Sequence, residues 1–121
     1  MLQVKWAKSK DGEWFELETA PLASVSDVWG VYVIWTPNAR PQRPGVVLKV
    51  GSGNIPLRLH IERLNPELRW IGNRTLLVTW AAVSQSHQPG VVRYLSDHLF
   101  PYFREGSTQD PEVAVNLPLT A

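Results

Sequence analysis

The residues best suited to chemistry cluster in the middle of the chain, and their types point to phosphate. Tyr32 carries a phenolic hydroxyl that can give or take a hydrogen bond, Arg58 and Arg63 carry permanently charged guanidinium forks, and Lys49 places a point charge two residues before Gly51. Their surroundings reinforce the pattern. Residues 36–74 hold six Arg and one Lys against two Glu, a net of +5, whereas residues 1–35 hold three Lys against five acids, a net of −2. Residues 75–121 hold two Arg against four acids, again −2. A basic segment between two mildly acidic ones is a footprint for phosphate groups; the plainer reading is that these charges are the solvated faces of two strands and a helix.

Other chemistries are excluded or unsupported. The chain has no cysteine, which removes disulfides, thiolate metal sites and thiol catalysis, and suits a reducing, cytoplasmic setting. His60, His87 and His98 are too scattered for a metal-ligand pattern and read as structural. Ser52 lacks an acidic partner at useful spacing and is no nucleophile by itself. The six tryptophans read mostly as core, Trp29, Trp35 and Trp80 lying on or beside strands, while Trp70, between Arg69 and Arg74, is placed to stack on a base.

The elements that must position these residues follow from hydrophobic period and chain breakers. Gly30 to Trp35 is a β-branched and aromatic run, a buried strand; Val46 to Gly51 repeats the pattern, and Leu76 to Val83 makes a third strand. Between the first two, Thr36 to Gly45 carries Pro37, Pro41 and Pro44 and is an exposed loop that returns the chain antiparallel. Trp14 to Leu17 reads as a short edge strand, and Leu22 to Val28 as a turn. Ser52-Gly53-Asn54 is a turn that can cap a helix from Ile55 to about Leu64, with Pro56 in its first turn. Asn65-Pro66 breaks that helix, Pro66 to Trp70 adds a short one before Gly72 and Asn73, and Gly90 to Phe100 spaces Val91, Leu95 and either His98 or Leu99 as a second main helix, ended by Pro101. Ser84 to Pro89 is a polar loop, and Val113 to Val115 a terminal extended segment.

With 121 residues, 44% apolar and 19% charged, the chain has the size and balance of one globular domain. The fold class expected is α/β (α+β), a small three-stranded, mainly antiparallel sheet flanked by helices. Its apolar runs fall well short of the roughly 18 residues needed to span a bilayer, and the amino terminus has no signal-peptide hydrophobic stretch, so no membrane partner is expected.

Gly30-Val31-Tyr32, then Lys49-Val50-Gly51, then Arg58 on the following helix form an ordered set that resembles the GIY-YIG nuclease family. The resemblance covers about residues 28–101 of a single domain spanning 1–121. It implies a nuclease-like domain in which Tyr32 and Arg58 are the surviving catalytic candidates, and Lys49, Gly51, Arg58 and Arg63 bind nucleic acid. The three-proline loop makes the gap between the motifs longer than in the family. The second tyrosine of the family corresponds here to Lys49, which has no phenolic oxygen. The family's metal-holding glutamate falls at Val92, and no Asp or Glu occurs from Leu68 to Ser96. Without an anionic oxygen, Mg²⁺ has no holder, so no metal site or cofactor is expected, and Mg²⁺ matters only if the site proves active. Asp97 lies nearby in sequence but near the opposite side of the helix from Val92. Two functions follow: a domain that binds the phosphate backbone of DNA or RNA with weak or no endonuclease activity, or an interaction domain that keeps the fold and meets a protein partner. A metal-dependent endonuclease with a non-standard ligand is a third.

Overall fold

The computed structural model describes residues 1–37, 45–71, 75–104 and 109–119. Strands β1 (Phe15–Glu16), β2 (Trp29–Thr36), β3 (Val46–Asn54) and β4 (Leu77–Ala82) form a four-stranded sheet, with helices α1 (Ile55–Arg63), α2 (Pro66–Ile71) and α3 (Gln88–Leu99) around it. Strand order is β1-β4-β2-β3 and every pairing is antiparallel. The expected three strands are therefore joined by the two-residue edge strand β1, paired to β4 through Phe15 and Glu16. Mixed α and β with flanking helices is the architecture read from the sequence.

The unbroken apolar run of β2 has a direct cause. This strand is central and covered on both faces, so neither side needs polar residues. Val31, Val33 and Trp35 join the core beneath α3, whereas Tyr32 and Ile34 join a second core beneath α1 and α2. Each fully buried Leu or Ile in these layers contributes about 1.5–3 kcal/mol. Gly30 lets β2 lie close to β4, since a Cβ there would come within 1.9 Å of the Ala81 carbonyl oxygen.

β3 departs from strict alternation. Ile34 pairs with Lys49 but Trp35 pairs with Val47, so Leu48 is an extra residue, a β-bulge. Val47 and Val50 consequently face the α3 core, three residues apart, while Leu48 packs into the α1 core and Lys49 reaches α1 as well. Ser52, Gly53 and Asn54, expected as a turn, continue β3 instead, because β2 starts early enough to pair them with Val31, Gly30 and Trp29. Asn54 still caps α1, its side-chain oxygen accepting from the Leu57 N–H at 3.1 Å.

On α1, Ile55, Leu59 and Glu62 form the buried stripe, at helical spacing. Asn65 ends it and caps α2, accepting from Glu67 N–H at 3.0 Å. The segment Leu22–Val25 is a 3-10 helix, which tightens the turn expected there. Helix α3 begins at Gln88 rather than Gly90, since Pro89 occupies its first turn, where no N–H is needed. Its buried positions include Val91, Val92, Leu95 and Leu99, so Leu99 and not His98 completes the stripe. The amino-terminal segment closes against the carboxy-terminal one: Leu2 bridges Val115, and the Asn116 side chain bonds Val4 N–H at 2.7 Å and Val4 carbonyl at 2.9 Å. The proline loop over 38–44, the Gly72-Asn73 break and Arg74 lie outside the described residues. No helix among the described residues is long and apolar enough to cross a membrane.

Candidate functional site

The face of the sheet beneath α1 holds Tyr32, Lys49, Arg58 and Glu62. Tyr32 stands mid-strand on β2, across from Gly51 on β3 and Trp80 on β4. It is fully buried, and its hydroxyl accepts a hydrogen bond from Arg58 Nη2 at 3.1 Å. The guanidinium carbon also lies 5.9 Å from the centre of the Tyr32 ring, at the outer reach of a cation–π contact. Arg58 is only half buried, one turn into α1. Gly53 opens its route to the sheet: φ there is +130°, and a Cβ would stand 3.2 Å from Arg58 Cγ. A side chain at residue 53 would thus meet both backbone strain and the arginine stem.

Lys49 takes a different position from the exposed one that alternation allows. The bulge turns it toward α1, where its Nζ meets Glu62 Oε1 at 3.0 Å. The lysine side chain is 16% exposed and the glutamate 2%, so this is a shielded ion pair. Glu62 Oε2 is buried and has no hydrogen-bond partner among the described residues. Of the residues singled out from sequence, the structure thus brings Tyr32, Gly51, Lys49 and Arg58 to one region of the sheet.

Arg63 does not join them. Its Nε donates to Leu17 carbonyl at 2.6 Å and its Nη2 to Ala20 carbonyl at 2.7 Å, which ties α1 to the chain after β1. A guanidinium committed to two backbone oxygens is a structural clamp. Val92, the position matched to the metal-holding glutamate, lies in the α3 core with Val31, Val33 and Val50, on the sheet face opposite Tyr32. An acid placed there would not face Tyr32, which corrects the register that turned this position toward the site. Asp97 is a surface acid, held by Arg104 Nη2 at 2.7 Å and Arg93 Nε at 3.7 Å. Among the described residues, no three side chains of the kind that bind metals gather. His60 and His98 are exposed, and His87 Nδ1 contacts Ser84 Oγ at 3.0 Å. The Trp70 side chain, suggested for base stacking, lies outside the described residues.

Two residues were missed. Glu62 counted only as a charge, although its place seven residues after Ile55 and three after Leu59 puts it on the buried stripe. Trp29, expected in the core, is 48% exposed at the start of β2. Comparison of this chain with family models, with curated proteins and with solved structures finds no match.

Proposed function

We propose that this chain is a GIY-YIG-like domain that binds the phosphate backbone of DNA or RNA, with weak or no endonuclease activity. The observation that carries the reading is the hydrogen bond from Arg58, in the first turn of α1, to the buried Tyr32 hydroxyl, with Arg58 as a whole only partly buried. A guanidinium oriented by a buried phenol is prepared to meet a phosphate in one geometry. Lys49 adds charge nearby, reduced by its pairing with Glu62. The expectation of weak or absent cleavage rests on Lys49 standing where the family resemblance asks for a tyrosine, which leaves no second phenolic oxygen for acid–base work. A cytoplasmic setting suits a chain without cysteine.

The test is binding to short single- and double-stranded DNA and RNA over a range of salt. Arg58→Ala is expected to weaken binding and reduce the salt slope by about 1, while Arg104→Ala, on the surface pair with Asp97, leaves both unchanged. Equal behaviour of the two variants, or no binding by the parent at low salt, rejects the reading. With Mg²⁺, no cleavage above background is expected. EDTA-sensitive cleavage lost in Arg58→Ala would favour the active endonuclease instead.

A second reading has its own observation. Leu57, Ile61 and Leu64 lie on the outer side of α1 at helical spacing and are 58%, 46% and 66% exposed. Such a stripe suits a domain that meets a protein partner.

A further inference from the structure

Two residues before β2 the chain passes through a left-handed residue beside an open cleft. Asp27 has φ +68°, a left-handed conformation uncommon outside glycine. Immediately after it, Val28 carbonyl accepts from Ile55 N–H at 2.9 Å and Trp29 carbonyl from Val83 N–H at 3.2 Å, which fixes the backbone on both sides. The cleft has a volume of about 590 Å³, within the range of small-molecule sites. Its walls include Asp27, Trp29, Val83, Ser84 and Gln85. Asp27 supplies the only full charge among the lining residues, so the cleft is anionic. The half-exposed Trp29 supplies a flat apolar surface.

A cleft lined by both an indole and a carboxylate suits a planar ring that carries two neighbouring N–H donors. Among the bases, guanine alone presents N1–H and N2–H side by side, and a carboxylate accepts both with its two oxygens. Adenine and cytosine set an acceptor beside their amino group, and uracil sets acceptors on both sides of its single N–H, so each meets the carboxylate with repulsion. We propose that this cleft binds a guanine base, stacked on Trp29 and held by the two oxygens of Asp27. Trp29 pairs in the ladder with Asn54, the cap of the helix that carries Arg58, so a base in the cleft leaves its strand close to that turn. The inference deepens the nucleic-acid reading and rests on it for the origin of the base, which is a free nucleotide or a residue of a single strand.

The test follows the indole N–H signals of the six tryptophans by NMR, with that of Trp29 identified by its loss in Trp29→Phe. Guanosine is expected to shift the Trp29 signal, with adenosine, cytidine and uridine at least tenfold weaker. Asp27→Asn keeps a residue that accepts the left-handed backbone while replacing one acceptor by a donor, and is expected to weaken guanosine tenfold or more. A single-stranded tetranucleotide with one guanine is expected to bind tighter than guanosine, an advantage that Arg58→Ala removes without changing guanosine affinity. GMP matching that tetranucleotide identifies the free nucleotide as the source. Guanosine binding with no tetranucleotide advantage sustains the base site and rejects the phosphate reading. Salt-sensitive binding through Arg58 with no response of Trp29 to guanosine does the reverse. Equal shifts by adenosine, unchanged guanosine binding in Asp27→Asn, or a response to N-acetylarginine amide but not to guanosine, each overturns the proposal, the last in favour of a cationic protein side chain.

Discussion

Lys49 and Glu62 form their pair at 3.0 Å in a region where the glutamate is almost wholly shielded from water. Removing two charges from water is expensive, and the attraction between them offsets that only while both are present. Lys49→Met should therefore cost about 3–5 kcal/mol, because it leaves a carboxylate buried without its cation. The double variant Lys49→Met/Glu62→Met should recover most of that loss, since it removes the desolvation penalty together with the attraction. Urea unfolding of the single and double variants measures both. A single variant within about 1 kcal/mol of the parent would mean that water reaches the carboxylate. The same pair shows where residue types stop being informative. Tyr32 and Arg58 were found by type and order, but Glu62 was counted with the surface charges because a lone Glu on a helix is usually solvated. Only the spacing from Ile55 through Leu59 signalled otherwise.

Helix α3 closes on an unusual residue for its end. Phe100 has φ +52°, left-handed, and its N–H bonds Ser96 carbonyl at 3.1 Å. Pro101 after it disfavours a continued right-handed turn, so the chain leaves the helix there. The ring is 72% exposed, and little packing compensates the backbone strain. Phe100→Gly should raise stability by about 0.5 kcal/mol, the left-handed penalty of about 1–2 kcal/mol less the added chain entropy of glycine. A higher denaturation midpoint would bear this out, and a lower one would show that the ring contributes packing despite its exposure. The long elements were legible because their periods were clean: Val31 through Trp35 for a strand covered on both sides, Asn54 and Pro56 for a helix start. The β3 bulge was not, since one extra residue opposite Ile34 and Trp35 leaves no mark in composition. Strict alternation with Leu48 and Val50 would accordingly leave Lys49 on an exposed face. Similarly, Pro89 looked like the last residue of a loop, whereas proline serves equally well inside a first helical turn.

For the molecule as a whole, the carboxy-terminal segment docks along α3 through a titrating contact. Asp97 is held below the usual carboxylate range by a hydrogen bond from Glu112 and then by Arg104, while Glu112 is raised by the same bond to Asp97 and by desolvation. The signs oppose each other. The contribution of Glu112 is complete below its unfolded pKa and fades as pH rises through its raised folded value; that of Asp97 is complete above its unfolded pKa and fades as pH falls through its lowered one. Both are substantially present near about pH 4; at neutral pH Glu112 has lost the proton it shared with Asp97, and only the part of the Asp97 contribution that comes from Arg104 and Arg93 remains. Glu112→Gln keeps a donor for Asp97 and removes the second charge, so it should raise Tm slightly at pH 7 and lose that advantage near about pH 4. Thermal melts at the two pH values measure the difference, and an advantage that is the same at both would separate it from titration.

The bridge between Leu2 and Val115 is parallel, and the Asn116 clasp lies just beyond it. Two parallel segments entered from opposite ends behave as a lap joint. Tension drawing Met1 and Leu119 apart loads Leu2 N–H to Ala114 carbonyl, the paired Val4–Asn116 bonds and the Trp6 indole bond to Asn116 carbonyl together, in shear. Bonds that share a load must fail together, so the seam between the first and last segments resists pulling more than its few contacts suggest.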